Sequence, residues 1–148
     1  MRHYIFSMLI IFPIHCFAGA WGVGSFENDS ALDWVYELET ASSVGFLGHT
    51  FSNIQGSQYL EVDACSAVLA AAEIVASINS RSFSHLPSDV LSWAKKHSEE
   101  VTQALKSSAT KAVSQCADGK KSEVSLLWEE SAPKEWASYI LDLQSRLK

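Results

Sequence analysis

The 148-residue sequence lacks the short motifs that mark the common enzyme classes. It contains no Gly-x-Ser-x-Gly nucleophile motif, no glycine-rich phosphate-binding loop and no Cys-x-x-Cys pair. Three histidines, His49, His85 and His97, follow the N-terminal segment, and none has the His-x-x-x-His or Glu-x-x-His spacing of a metal site. We therefore expect no metal, no cofactor and no catalytic residue set, and a surface or loop position for each histidine.

Basic residues are also few, eleven against seventeen acidic residues, for a formal net charge of −6. No patch rich in lysine and arginine is present to release counterions from a nucleic acid, so a nucleic-acid partner is disfavoured. An acidic surface instead suits solubility, or a basic protein partner that it attracts by electrostatic steering.

The start of the chain has the pattern of a secretory signal peptide. Residues 1–4 form a short basic head, and residues 5–17 an apolar run followed by small residues. The run is shorter than the roughly 20 residues that span a bilayer. We expect cleavage after Ala18, or alternatively after Ala20. The mature protein, residues 19–148, is then a single helical domain, periplasmic or secreted, with no stable membrane anchor.

Two cysteines, Cys65 and Cys116, follow the predicted signal peptide, and an even number suits an oxidising compartment. Both lie on apolar faces of predicted helices. A disulfide between them would close a loop of about 50 residues and stabilise the fold by about 4 kcal/mol on the chain-entropy model. Two buried thiols would also pack well as small apolar side chains, so both states remain open.

Residues 61–79 predict one helix, because they are rich in alanine and contain neither glycine nor proline. Their apolar side chains extend nearly all the way round the helix, which is typical of a helix buried by neighbours on several sides. Amphipathic patterns with short breaks precede and follow it. We therefore predict an all-α fold, a compact bundle of about six or seven short helices around this central helix.

The central helix carries one narrow polar stripe that includes Asp63 and Glu73. If the stripe is exposed, Glu73 faces water. If it is buried, the Glu73 carboxylate needs a hydrogen-bonding partner. Trp21 or the amine of the processed N-terminus is our candidate partner, because the glycine-flanked segment around Trp21 could lie along the stripe.

The mature chain opens with the string Trp21-Gly22-x-Gly24-x-Phe26-x-Asn28-Asp29-x-Ala31-x-Asp33-Trp34. This string resembles the opening of an uncharacterised bacterial domain family, whose members typically begin Met-Gly-Ala/Thr-Trp-Gly-x-Gly-x-Phe-Asp-Asn-Asp. The resemblance extends to residue 147 and implies one domain, but the family has no assigned activity. Its relatives usually start at the string without a signal peptide, which favours cleavage after Ala18. The candidate site residues are Trp21, Gly22, Gly24, Phe26, Asn28, Asp29, Asp33, Trp34 and Glu73.

The acidic residues and aromatic residues of this string allow two interpretations. Asn28, Asp29 and Asp33 can cap and charge the start of a helix, or bind a cation or a substrate amine. Phe26 is placed to pack against that helix as a hydrophobic staple.

The chain has five tryptophans. We expect most in the core and one or two partly exposed in a binding hot spot.

Three functional hypotheses follow. The first is an exported, non-enzymatic partner-binding protein of inhibitor or immunity type. The second is a small-ligand-binding or hydrolytic protein with a pocket lined by Trp21, Asp29, Asp33 and Glu73. The third is a structural component of the cell envelope. The sequence does not indicate the oligomeric state.

Overall fold

A computed structural model describes residues 19–148. The predicted signal peptide, residues 1–18, lies outside the described residues. The described part contains no β-strand beyond two isolated bridges, so the all-α prediction is confirmed. A short 3-10 turn, Ser98–Glu100, separates the fourth and fifth of seven α-helices. The helices are α1 (Asp29–Thr40), α2 (Gly45–Ser52), α3 (Val62–Ser80), α4 (Ser88–Lys96), α5 (Gln103–Cys116), α6 (Glu123–Ser131) and α7 (Pro133–Arg146).

Helix α3 is the central helix, as predicted, and it contacts each of the other six helices. All its residues from Val68 to Ser77 are buried. Four of these are alanines, whose small side chains allow the neighbouring helices to approach closely. Within residues 19–148, α3 alone is long and apolar enough to span a membrane, but its most apolar window is 67% buried in the fold. Its apolar surface is thus covered by the other helices.

A disulfide joins Cys65 near the start of α3 to Cys116 at the end of α5, with 5.5 Å between the two Cα atoms. Both cysteines are completely buried. The loop that follows α5 is fixed at the same place, because the Leu60 N–H donates to the Lys121 carbonyl over 2.8 Å. The disulfide and this hydrogen bond together hold α3, α5 and the loop after α5 at one end of the bundle.

The histidines divide between surface and interior. His49 and His85 are exposed, as expected, and His97 lies in the turn that ends α4, where it is only 4% exposed. Its Nδ1 lies 2.6 Å from Oε1 of Glu100. The other oxygen of Glu100 accepts a hydrogen bond from the Val44 N–H over 3.1 Å. The Glu100 carboxylate thus connects His97, at the end of α4, to the start of α2.

Candidate functional site

The motif string forms a loop, residues 19–28, that folds back on itself before α1. The Asp29 N–H donates to the Gly19 carbonyl over 2.8 Å, and the Trp21 N–H donates to the Glu27 carbonyl over 3.0 Å. These bonds pair the two ends of the loop in antiparallel fashion. We call residues 19–28 the motif loop.

The two motif glycines surround the carboxylate of Glu27. The Gly24 N–H donates to Glu27 Oε2 over 2.8 Å. A Cβ atom at Gly22 would lie 2.1 Å from this oxygen, and one at Gly24 would lie 2.8 Å from it. A side chain at either position would therefore displace the carboxylate and break the hydrogen bond that closes the loop.

One side of the motif loop is anchored in the core. Phe26 is 8% exposed. The Ser25 hydroxyl donates to the Leu69 carbonyl on α3 over 2.9 Å and also hydrogen-bonds the Tyr139 hydroxyl on α7. The loop is thus fixed to two helices that are distant in sequence.

Two further motif residues stabilise α1. Asn28 is its N-cap, as expected, since its Oδ1 accepts a hydrogen bond from the Ala31 N–H over 2.8 Å. Trp34 is buried, and its indole N–H donates to the Thr50 hydroxyl on α2 over 3.2 Å. These positions of the motif serve the fold.

Glu73 is 1% exposed, and the guanidinium of Arg146 binds it with two hydrogen bonds of 2.5 and 2.9 Å. The Tyr139 hydroxyl lies 3.5 Å from the same carboxylate. Burial raises the pKa of Tyr139, and the charge of Glu73 raises it further. Glu73 is therefore buried with a cation as its partner. Our expectation that Trp21 or the N-terminal amine would partner it is wrong.

The other side of the motif loop and α1 faces outward. The Trp21 side chain is 60% exposed, and Asp29 and Asp33 are exposed one helical turn apart. The same face of α1 carries Leu32, 37% exposed, and Tyr36, 70% exposed. We call these five residues the recognition face.

The sequence segment that carries the recognition face has charges of one sign only. Residues 19–80 contain eight acidic residues and neither lysine nor arginine, whereas residues 81–148 contain nine acidic and ten basic residues. Among the eight, only Glu73 forms an ion pair. Sequence analysis by total charge missed this asymmetry, which a count by segment reveals. It also missed Leu32 and Tyr36, which are recognisable as the side of α1 opposite its core stripe. The eight are Glu27, Asp29, Asp33, Glu37, Glu39, Glu61, Asp63 and Glu73.

A cavity of about 280 Å³ lies between the motif loop and Glu73. Trp21, Asp29 and Asp33 do not line it, and both oxygens of Glu73 are bound by Arg146. In the described part of the chain, no group of three or more His, Cys, Asp or Glu side chains could hold a metal ion. The cavity is lined by Gly24, Ser25, Phe26, Glu27, Glu73, His85 and Tyr139.

Comparison with known proteins identifies a family whose function is unknown. A family model described as a domain of unknown function, DUF4259, matches residues 19–139. The matched region begins with the motif loop and ends within α7 at Tyr139. No curated protein and no solved structure matches the chain.

Proposed function

We propose, from the premise that this chain belongs to the DUF4259 family of domains of unknown function, that it is an exported partner-binding domain. In this proposal it acts as an inhibitor or immunity-type protein and has no enzyme activity of its own. It binds a basic segment of another protein through the recognition face.

The observation that carries the proposal is the exposure of Trp21 on an anchored loop. Within the described residues the side chains of Trp21 and Asp33 form no hydrogen bond, ion pair or ring contact. The motif residues around Trp21 hold the loop in one conformation. An aromatic side chain on a loop whose backbone is already fixed requires less ordering of the chain on binding, and tryptophan is enriched in interface hot spots.

The negative charge of the recognition face supports a basic partner. The five residues of the recognition face combine two aromatic rings with two carboxylates. Arginine and lysine bind such surfaces through cation–π contacts and charge-assisted hydrogen bonds. Because no lysine or arginine of residues 19–80 neutralises this face, its negative potential would also steer a basic protein toward it.

Two features support export. The first 18 residues have the composition of a signal peptide, and Cys65 is bonded to Cys116. Disulfides persist in oxidising compartments such as the periplasm and the medium.

The test is capture of the partner from the native host by the tagged, exported protein. After crosslinking at low salt, we expect a stoichiometric basic protein that is lost at high salt. The double variant Asp29→Asn/Asp33→Asn and the single variant Trp21→Ala should reduce capture. The matched control, Glu130→Gln/Glu135→Gln, removes two exposed charges outside the face and should not. Equal capture by all variants, or none by the wild type, would refute the proposal.

A further inference from the structure

A second feature of the acidic segment, residues 19–80, is a cleft of about 360 Å³ that is lined by α1, α2 and α3. Its volume falls in the lower part of the range, roughly 300–1,000 Å³, that small-molecule sites occupy. Glu37, His49 and Asn53 are exposed and therefore lie at its rim. Half-buried alanines of α3, Ala64 and Ala67, line it as well.

One wall of the cleft is aromatic and fixed in position. The rings of Trp34 and Phe46 stack with their centroids 5.5 Å apart. The Trp34 indole N–H is bonded to the Thr50 hydroxyl, which itself donates to the Phe46 carbonyl over 3.1 Å. The wall therefore keeps its shape whether or not the cleft is filled.

The rim supplies negative charge without a cation to balance it. Within the described residues the Glu37 carboxylate forms neither an ion pair nor a side-chain hydrogen bond. The residues that line the cleft include no lysine or arginine. An aromatic wall beside an unpaired carboxylate is the arrangement that binds organic cations.

We propose that this cleft binds a guanidinium or ammonium group on a short organic stem, which lies along the Trp34–Phe46 wall and pairs with Glu37. Two sources supply this chemistry. One is a free small cation. The other is an arginine or lysine side chain of the protein partner, and in that case the inference rests on the proposed function.

The first experiment titrates the ¹⁵N-labelled processed protein with N-acetyl-arginine methylamide and follows its amide and indole signals. We expect saturable shifts of the Trp34 indole N–H and of the amides around Phe46 and His49. The neutral citrulline analogue has the same shape and should bind at least about tenfold more weakly, because it lacks the charge that the carboxylate and the rings attract. The absence of saturable shifts would refute the site, as would equal binding of the citrulline probe or shifts confined to the recognition face.

Variants of the cleft give a second readout. Glu37→Gln should weaken binding of the arginine probe at least about fivefold by removing the paired charge, and Ala67→Leu should block it by filling the cleft. Glu39→Gln, an exposed carboxylate on the same helix but outside the cleft, is the matched control. Unchanged binding by Glu37→Gln would overturn the proposed role of this carboxylate.

The same variants separate the two sources and the two proposals. If the partner supplies the cation, Glu37→Gln should reduce partner capture as well as probe binding. If the ligand is a free small cation, partner capture by Glu37→Gln should equal that of the wild type. A failed capture with the wild type would refute the proposed function and leave the probe titration unaffected.

Discussion

The buried carboxylate of Glu73 connects the first residues of the domain to the last helix. Arg146 pairs with it from α7, and Tyr139 bridges to Ser25 in the motif loop. The sequence indicated Glu73 as unusual, because it is a carboxylate in an otherwise apolar helix. It could not indicate Arg146, which lies 73 residues away on a helix whose polar face looks like any exposed surface.

The first prediction concerns this pair. Arg146→Met should lower the free energy of unfolding by about 3 kcal/mol, because it leaves the Glu73 carboxylate buried without a cation. The double variant Glu73→Gln/Arg146→Met removes both charges and should recover part of this loss. Urea unfolding followed by tryptophan fluorescence measures both values. A loss below about 1 kcal/mol in Arg146→Met would contradict the structural role of the pair.

The second prediction concerns Glu100 and acid. Its hydrogen bond to His97, and a further one from the Val44 N–H, hold the pKa of this carboxyl below its ordinary value. A carboxyl whose pKa is lower in the folded than in the unfolded state stabilises the fold at pH values above its unfolded pKa, which is about 4.3 for glutamate. That contribution is lost as the pH falls through the folded pKa. Glu100→Gln should therefore lower the melting temperature at pH 7, and the difference from the wild type should close toward pH 3.

The control for this measurement is Glu99→Gln, which removes an exposed neighbouring charge. Its melting temperature should differ from the wild type by a similar amount at both pH values. If Glu100→Gln also kept a constant difference across this range, the Glu100 hydrogen bonds would not be the source of the acid dependence.

At the scale of elements, helical periodicity gave a good account of the chain. The central helix was predicted at residues 61–79 and lies at Val62–Ser80. Its wide apolar surface requires neighbours on all sides, and six helices supply them. The sequence did not decide whether Cys65 and Cys116 are bonded, because a disulfide depends on the separation of the two Cα atoms, which helix packing sets.

The motif loop is the element that the sequence described least well. Glycines allow a close approach of the backbone to another group, but the sequence does not show that this group is the loop's own Glu27. Nor does a periodic pattern distinguish the core-facing Phe26 from the exposed Trp21, since the loop is irregular. The position of Phe26 before α1 indicated a packing role, whereas the exposure of Trp21 follows only from the tertiary structure.

The third prediction compares these two aromatic residues. Phe26→Ala should lower the free energy of unfolding by about 3 kcal/mol, the usual cost of truncating a buried phenylalanine. Trp21→Ala should change it by less than about 0.5 kcal/mol, as expected of an exposed residue. Urea unfolding of both variants, with Tyr59→Ala as an exposed aromatic control, checks this. A loss of more than about 2 kcal/mol in Trp21→Ala would give Trp21 a structural role and remove the main support for the recognition face.

At the scale of the whole molecule, the fold class and the candidate sites follow from different kinds of information. Fold class follows from local patterns, because each helix carries its own apolar stripe. The outward side of α1 also follows from its apolar stripe, but the exposure of Trp21 in an irregular loop and the cleft do not, because they require knowledge of how the loop, α1, α2 and α3 pack. The total charge of −6 hides an acidic first half and a nearly neutral second half.

The last prediction tests this division of charge without any partner. A cationic nitroxide should collect near the acidic segment, residues 19–80. It should relax the exposed amide protons of this segment more strongly than an anionic nitroxide of similar size does. The cation-to-anion ratio of relaxation rates should be at least about twofold higher at exposed amides of the motif loop and α1 than at those of α6 and α7. It should approach one everywhere in about 1 M salt, where the Debye length is only about 3 Å. Asp29→Asn/Asp33→Asn should lower the ratio at α1, whereas Glu130→Gln/Glu135→Gln should leave it unchanged. A uniform ratio over residues 19–148 would mean that the charges of the second half screen the recognition face, and a basic partner would then gain no steering toward it.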